Sequence, residues 1–307
     1  MRTARLLYCL TLVSLVPSIL YGANATDVLS RAEEADRHVS YRGVKTATVS
    51  FRGGAATAVL KVIHLCPDKT RTQYFSPAVM AGIILVQDGP DIWKYIPRED
   101  VWEHFTFAPP PPISLIRRDA LRNYDVKLVG TEQVAGRTAY VIHAMPRNLG
   151  EAAHRMWVDR EFYLMIGTQV EDDSGTVVRS SRYVSLQLNP EDISPSMFEV
   201  HGKIRPRASH STCIRIRMLK PSYLPAGYRL IGSSRLCMRG YDCAHLQFGN
   251  GANMISLFER KANHEAPCQP VASKVTNVLV WARGGMQFTI MGDLSRAELQ
   301  KIADSVR

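Results

Sequence analysis

Apolar and polar residues alternate along much of the first two hundred positions, as expected for β-strands that bury one face. The alternation is clearest at residues 163–171 and again at residues 177–188. Asp172-Asp173-Ser174-Gly175 lies between them, and Asp and Gly tolerate the left-handed backbone of a tight reversal. The pattern therefore predicts a hairpin, preceded by a short strand at residues 156–158.

The same periodicity predicts strands over the rest of this region, separated by turns rich in glycine, proline and aspartate. They lie at residues 41–51, 58–65, 71–75, 83–87, 91–96, 101–107, 124–129 and 137–144. Because short turns join consecutive strands, we expect an antiparallel meander.

Three segments have helical spacing. Residues 26–38 form an amphipathic pattern that opens with a candidate cap. A second helix is predicted at residues 113–123, behind the proline run 109–112, which offers no backbone donors to a sheet. Near the C-terminus Ser295 and Glu298 have the spacing of a capping box, which predicts a final helix.

Length and composition indicate a folded chain of two domains, with 307 residues, 46% hydrophobic and 21% charged. Two arginines, an apolar run at residues 6–22 and Ala23-Asn24-Ala25 are typical of a secretory signal peptide. We expect cleavage after Ala25, which leaves an exported, soluble protein; a retained membrane anchor is the alternative.

The formal net charge of +10 suits contact with anionic lipid head groups, lipopolysaccharide or an acidic partner segment. Simple solubility is the other explanation of this charge. Nucleic acid is not expected as a partner, because the sequence contains no recognised nucleic-acid motif.

Four of the five cysteines after the expected cleavage site lie in the C-terminal part of the chain, and export permits disulfides. We predict two bridges among Cys213, Cys237, Cys243 and Cys268. Cys237 to Cys243 is the favoured pair, because a short loop separates them, and Cys66 is left alone. No Cys-x-x-Cys clip supports the alternative of a metal site.

The sequence contains no Gly-x-Ser-x-Gly elbow, no His-Glu-x-x-His and no Gly-x-x-x-x-Gly-Lys loop. The nine histidines are scattered singly. We therefore expect a protein that is not an enzyme, with no catalytic residues, cofactor or metal.

Two motifs carry a family resemblance. Trp157-Val158-Asp159-Arg160 precedes the hairpin, and a Gly-x-Glu-x-Val-Ala-Gly-Arg turn occupies Gly130 to Arg137. Both resemble periplasmic lipoprotein carriers of the LolA type and, more closely, the MucB/RseB regulators that restrain the sigma-E envelope-stress response.

The C-terminal part separates the two families, because LolA carriers lack it. Leu224 to Tyr228, Ser233 to Arg235, residues 254–260 and residues 288–294 resemble the MucB/RseB C-terminal domain in that order. Gly249-Asn250-Gly251 stands where those regulators usually have a Ser-Asp-Gly turn.

The resemblance implies an α+β fold. Its N-terminal part is a LolA-like unclosed antiparallel half-barrel covered by helices, and a smaller α+β C-terminal domain follows. The expected boundaries are a signal peptide at 1–25, the half-barrel at 26–200, a basic linker at 201–222 and the C-terminal domain at 223–307.

Aromatic residues cluster in the meander, and with the resemblance they suggest an apolar cavity whose lid is the helix at 113–123. A well-packed sheet core is the alternative. The expected lining residues are Val49, Phe51, Leu60, Val62, Ile83, Leu85, Trp93, Tyr95, Trp102, Phe105, Trp157, Ile166 and Val184.

The function that the resemblance implies is regulatory and periplasmic. Such a protein binds the periplasmic segment of a membrane anti-sigma factor and senses lipid, lipopolysaccharide or lipoprotein acyl chains through the cavity. The alternative is a periplasmic carrier of lipid or lipoprotein, of the LolA type, without a regulatory role.

Overall fold

A computed structural model describes residues 24–51, 54–106, 119–205, 218–238, 241–262 and 277–307. Within these residues the chain forms two antiparallel sheets, one of eleven strands and one of five. The predicted α+β class, with an open antiparallel sheet followed by a smaller second unit, is confirmed.

The larger sheet has the strand order β6-β5-β4-β3-β2-β1-β11-β10-β9-β8-β7, so it is open, with β6 and β7 at its two edges. Most predicted strands are confirmed, several of them with longer bounds. They are β1 (Tyr41–Phe51), β2 (Gly54–Leu65), β3 (Lys69–Ser76), β4 (Ile84–Asp88), β5 (Asp91–Ile96), β6 (Val101–Thr106), β7 (Tyr124–Val134), β8 (Arg137–Pro146), β9 (Ala153–Asp159), β10 (Met165–Glu171) and β11 (Val177–Leu188).

The first strand holds the two halves of this sheet together. β1 pairs with β2 on one side and with β11 on the other, where Tyr41 lies opposite Leu188 and Val49 opposite Arg179. Among the described strands of this sheet, every other pair joins neighbours in the sequence. The β1–β11 pairing therefore joins two meanders into one sheet.

The larger sheet is strongly bent. Glu132 on β7 accepts hydrogen bonds from Trp157 Nε1 on β9 at 2.8 Å and from Arg182 Nη2 on β11 at 2.7 Å. β11 lies four strands from β7, which in a flat sheet is a separation of about 19 Å. Side chains of these strands meet only because the sheet curls, as expected for an unclosed half-barrel.

The smaller sheet has the order β12-β13-β14-β16-β15 and packs against a C-terminal helix. Its elements are β12 (Arg229–Met238), β13 (Tyr241–Gly249), β14 (Met254–Lys261), β15 (Asn277–Arg283), β16 (Met286–Gly292) and α2 (Arg296–Ser305). Leu257, Ile290, Leu299 and Ile302 are fully buried in its core.

Both described helices begin at a side-chain cap, but the bonds around the second cap differ from those predicted. α1 (Ala25–Ala35) is capped by Asn24, whose side chain accepts from Thr26 N. Ser295 caps α2 as predicted, since its Oγ accepts from Glu298 N at 3.2 Å. The Glu298 carboxylate instead accepts from Tyr223 OH and Lys301 Nζ, so the reciprocal bond of a capping box is replaced.

The helix α1 covers part of one face of the larger sheet, where its Val28 packs against Ile142 and Val158. Residues 119–123 are helical, and the rest of the helix predicted at 113–123 lies outside the described residues, as does the proline run. In the part of the chain that is described, no helix has the length and apolarity needed to cross a membrane.

We predict that Gly43→Ala destabilises the larger sheet. A Cβ at this position would lie 2.3 Å from the backbone oxygen of Ser185 on β11, at the joining pair of strands. Forced overpacking of this kind lowers the free energy of unfolding by about 1 to 3 kcal/mol, which urea unfolding measures.

Gly232→Ala on β12 is the matched control, because its Cβ would meet only the end of the flexible Gln247 side chain. Equal losses in the two variants would contradict the role given to the β1–β11 contact.

Candidate functional site at the junction of the two sheets

A cavity of about 300 Å³ lies where α1, the helical residues 119–123, the larger sheet and a turn of the smaller sheet meet. Its lining is mainly apolar. The residues are Thr26, Leu29, Ala32 and Glu33 of α1, Ala120 and Leu121, Tyr124, Val126, Ala144, His154, Met156 and Met165 of the larger sheet's strands, and Gly251 and Ala252 of the turn.

None of the thirteen residues expected to line a cavity lines this one. Seven are packed in two other clusters, Leu60, Val62, Trp157 and Ile166 in one, and Trp93, Tyr95 and Trp102 in the other. Val49, Ile83 and Leu85 are half-buried, Phe105 and Val184 are 40% and 62% exposed, and the side chain of Phe51 lies outside the described residues.

The wall of the cavity continues into a buried polar network, which we call the latch. It consists of Tyr124 of β7, Glu151 of the loop before β9 and His154 of β9, with Asn250 and Asn253 of the turn between β13 and β14. Asn250 Nδ2 donates to Glu151 Oε2 at 2.7 Å, and Asn253 Nδ2 donates to the hydroxyl oxygen of Tyr124 at 2.7 Å. Tyr124 in turn donates to Glu151 Oε2 at 3.2 Å, and His154 Nε2 lies 2.8 Å from Asn253 Oδ1.

The side chain of Asn250 fixes the turn that carries the two asparagines. Asn250 Oδ1 accepts from the backbone N–H groups of Ala252 and Asn253, at 3.1 and 2.8 Å. An Asx turn of this kind needs asparagine or aspartate at its first position. Gly251 and Ala252 are thereby held against the cavity.

Burial shifts the titration of the two ionisable latch residues. Desolvation raises the pKa of the Glu151 carboxyl, although hydrogen bonds from Asn148, Tyr124 and Asn250 oppose the rise. Desolvation also lowers the pKa of His154, which favours the neutral imidazole. Buried polar groups are tolerated only when they are hydrogen-bonded, so the network holds the two sheets in one arrangement.

Two ion pairs flank the latch. Arg179 Nη2 on β11 lies 2.5 Å from Asp293 Oδ2, and Arg229 Nε on β12 donates to Asp119 Oδ2 at 2.6 Å. The junction is also tight at Gly227, where an added Cβ would lie 2.2 Å from Asn123 Oδ1. The smaller sheet is therefore docked along a surface wider than the latch.

The favoured disulfide pair is not formed in the structure, where Cys243 is a buried free thiol. Its cross-strand partner is Leu236, while Cys237 pairs with Asp242. Cys213 and Cys268 lie outside the described residues, so other bridges stay predictions. Cys66 is also free, and among the described residues no group of three metal-binding side chains occurs.

Two family profiles match the chain. The profile described as MucB/RseB N-terminal domain matches residues 95–203, and one described as a domain of unknown function, DUF4367, matches residues 252–306.

Relatives and solved structures resemble the chain over most of its length. The sigma factor AlgU regulatory protein MucB of Pseudomonas aeruginosa is 22% identical over 100% of this chain and 98% of its own. The sigma-E factor regulatory protein RseB of Salmonella typhimurium is 22% identical over 60% of this chain and 59% of its own. A crystal structure of MucB in complex with MucA(peri) has a TM-score of 0.65 at 19% identity, covering 92% of this chain and 98% of that one.

We predict that Asn250→Ala destabilises the protein, because it removes the turn's acceptor and leaves the Glu151 carboxylate short of a buried donor. The loss in unfolding free energy should be about 1 to 3 kcal/mol. Asn148→Ala is the control, since Asn148 makes longer contacts of 3.2 and 3.4 Å at the edge of the same network. A loss as large in the control would argue against the special position of Asn250.

Acid should weaken the latch through His154. Because its folded pKa lies below the unfolded value of about 6.5, the stability it contributes is fully present above that pH and is lost as the pH falls through the folded pKa. The raised pKa of Glu151 has the opposite effect, because acid then favours the folded state. The contribution of His154 must therefore be measured by comparing wild type with a variant at position 154.

The measurement is the unfolding free energy of wild type and His154→Gln between pH 8 and pH 5. Wild type should lose more stability on acidification than the variant, which is neutral throughout. His38→Gln, at an exposed position, should follow wild type; the prediction is wrong if His154→Gln follows wild type as well.

Proposed function

We propose that this chain, which belongs to the MucB/RseB family, is a non-enzymatic regulator that binds the extracytoplasmic segment of an anti-sigma factor. We further propose that it is periplasmic after signal cleavage, and that lipid or lipoprotein acyl chains enter the cavity beside the latch and change its hold on that segment.

The observation that carries the regulatory proposal is the extent of the likeness to MucB. It runs through both sheets, since 92% of this chain superposes on the MucB of a complex with MucA(peri). The Pseudomonas relative is itself named for its regulation of a sigma factor. A partner of the same kind is the simplest expectation for a chain that has both units.

The cavity supports the lipid part of the proposal. Leu29, Leu121, Val126 and Met156 give it an apolar wall, and its volume of about 300 Å³ lies at the lower end of the range for small-molecule sites. Since it lies at the junction of the sheets, a ligand there can act on the arrangement that a partner would bind. Lipid and partner would then weaken each other's binding by one factor, as linkage requires.

A carrier of lipid or lipoprotein is the second candidate, favoured by the same cavity. A carrier needs only the cavity and a route for hand-over, and the smaller sheet contributes no more to the cavity than Gly251 and Ala252 of one turn. We therefore place it behind the regulator.

The domain boundaries remain part of the proposal. The last strand of the larger sheet ends at Leu188, a 3₁₀ turn follows at Pro195–Phe198, and the smaller sheet begins at Arg229. These bounds support a first domain at 26–200, a basic linker at 201–222 and a second domain at 223–307.

The test is capture of the extracytoplasmic segment of the source organism's anti-sigma factor by the intact protein, with and without a monoacyl lipid. We predict capture without lipid and release as lipid saturates. Leu29→Asp should keep the segment in the presence of lipid, because a carboxylate in the apolar wall opposes entry of the chain. Arg37→Ala, on an exposed position after α1, is the control and should release it.

If the protein binds lipid but never captures the segment, the regulatory proposal is wrong and the carrier replaces it. If lipid binds without releasing a captured segment, the proposed competition is wrong while the partner remains.

A further inference from the structure

Two loops of the larger sheet carry exposed apolar side chains. Val79 is 74% exposed in the loop between β3 and β4, whose residues 77–82 we call the finger, and Leu149 is fully exposed in the loop between β8 and β9. Single apolar residues are common on protein surfaces, but neither of these stands alone. Phe75 and Met145, in the strands that lead into the two loops, are 50% and 46% exposed.

The strand register places both loops at the same end of the sheet. β3 ends where β1 ends, because both strands are antiparallel to β2. Val49, near the end of β1, lies opposite Arg179 near the start of β11, and β10 is antiparallel to β11. Glu171 at the end of β10 lies opposite Ala153 at the start of β9, so the loop before β9 is also at this end.

The backbone of the finger is closed on itself. The N–H groups of Met80 and Ala81 donate to Pro77 O at 2.8 and 3.0 Å. The N–H group of Gly82 donates to Tyr74 O at 2.9 Å. No residue of the finger has a polar side chain. A segment that enters the apolar part of a bilayer has to satisfy its backbone internally, and these three donors of the finger meet that requirement.

An exposed arginine accompanies each apolar tip. Arg98 lies in the turn between β5 and β6, and this turn contacts the finger, since a Cβ added to Gly82 would lie 3.0 Å from Pro97 Cγ. Arg147 is exposed two residues before Leu149. Each tip therefore combines apolar side chains with a positive charge.

Most acidic side chains of the nearby turns are engaged by other groups. Glu99 forms an ion pair with Arg205, and the Asp100 carboxylate accepts from a tyrosine hydroxyl at 2.9 Å. Asp172 accepts from backbone N–H groups of its own turn, whereas Asp173 beside it is exposed. The chain as a whole has a formal net charge of +10. Charge and apolarity together suit an anionic lipid surface.

We propose that this end of the larger sheet docks on an anionic bilayer surface. The finger and Leu149 enter the head-group region, and Arg98 and Arg147 lie against the lipid phosphates. A bilayer accepts two separate projecting tips because lipids rearrange around each of them, whereas a protein partner would need a complementary hollow for each. The attachment is reversible, since two short tips bury little apolar area. The inference requires neither the cavity nor the anti-sigma partner.

The experiment measures flotation of the mature protein, residues 26–307, with lipid vesicles. Without residues 1–25, the apolar run of the expected signal peptide does not bind lipid itself. We expect binding to vesicles of phosphatidylcholine with an equal part of phosphatidylglycerol, and about tenfold weaker binding to phosphatidylcholine alone. Binding to the mixed vesicles should fall as salt is raised, because salt screens the head-group charge.

Four variants locate the contact. Val79→Asp and Leu149→Asp should each weaken binding to mixed vesicles by about tenfold, because a carboxylate opposes insertion and is repelled by the head groups. Val184→Asp is the matched control, since this valine of β11 is 62% exposed but belongs to neither tip, and it should bind as wild type does. Arg98→Gln should lose about fivefold on mixed vesicles and nothing on phosphatidylcholine.

A fluorescent side chain reports insertion directly. The emission of Val79→Trp should shift to the blue on mixed vesicles and should be quenched by lipids brominated in the acyl chain. Val184→Trp should add no quenching to that of wild type. Urea unfolding of each variant checks that the fold is kept.

Every outcome bears on the inference. Weaker binding of Val79→Asp and Leu149→Asp with an unchanged unfolding free energy supports it. Equal binding by wild type, both tip variants and Val184→Asp overturns it. If wild type does not bind mixed vesicles, the inference is also wrong; loss of anti-sigma capture in Val79→Asp would then identify the tips as a protein contact.

Discussion

The pairing of β1 with β11 is the contact on which the rest of the larger sheet depends. Residues 41–49 find their partners at 179–188, so a strand near the start of the described chain is completed only by the last strand of the sheet. Each of the two meanders has short turns and is locally encoded. The pairing between the two meanders is long-range in the sequence and is not locally encoded. It requires a glycine at position 43, where the backbone oxygen of Ser185 comes too close for any side chain. Without this pairing the sheet would be two separate ribbons.

Docking of the second sheet uses a different kind of contact. Apolar burial builds each core, with Ile142 and Val158 under α1 and Leu257 and Ile290 under α2. Between the cores, polar contacts join the two sheets beside the cavity, among them the latch and the two ion pairs that flank it. Polar junctions of this type specify one geometry but gain little net free energy, because each bond replaces a bond to water. The docked arrangement is therefore specific in its geometry but gains little net stability from these bonds.

The sequence predicted local structure well and the site poorly, for physical reasons. Period-two alternation located the strands, and Ser295 identified a helix start, because both signals lie within a few residues. The lining of the cavity comes from segments as distant as Leu29, Leu121, His154 and Ala252, and no local pattern joins them. Aromatic clustering indicated Trp93 and Trp102 instead, which pack in a core of their own. Asn250 was interpreted as a turn residue, and that interpretation missed the role of its buried side chain.

The ends of the second unit are fastened to each other. Ser222 N donates to Ser305 O at 3.0 Å, and Pro221 forms a bridge with Val306, which is fully buried. The residues that precede the smaller sheet, 220–222, therefore lie beside the residues that follow α2, 305–307. A module with adjoining ends can be circularly permuted or spliced into a host loop with little disturbance of its interior. The same geometry would let this unit be joined to the larger sheet as one continuous insertion.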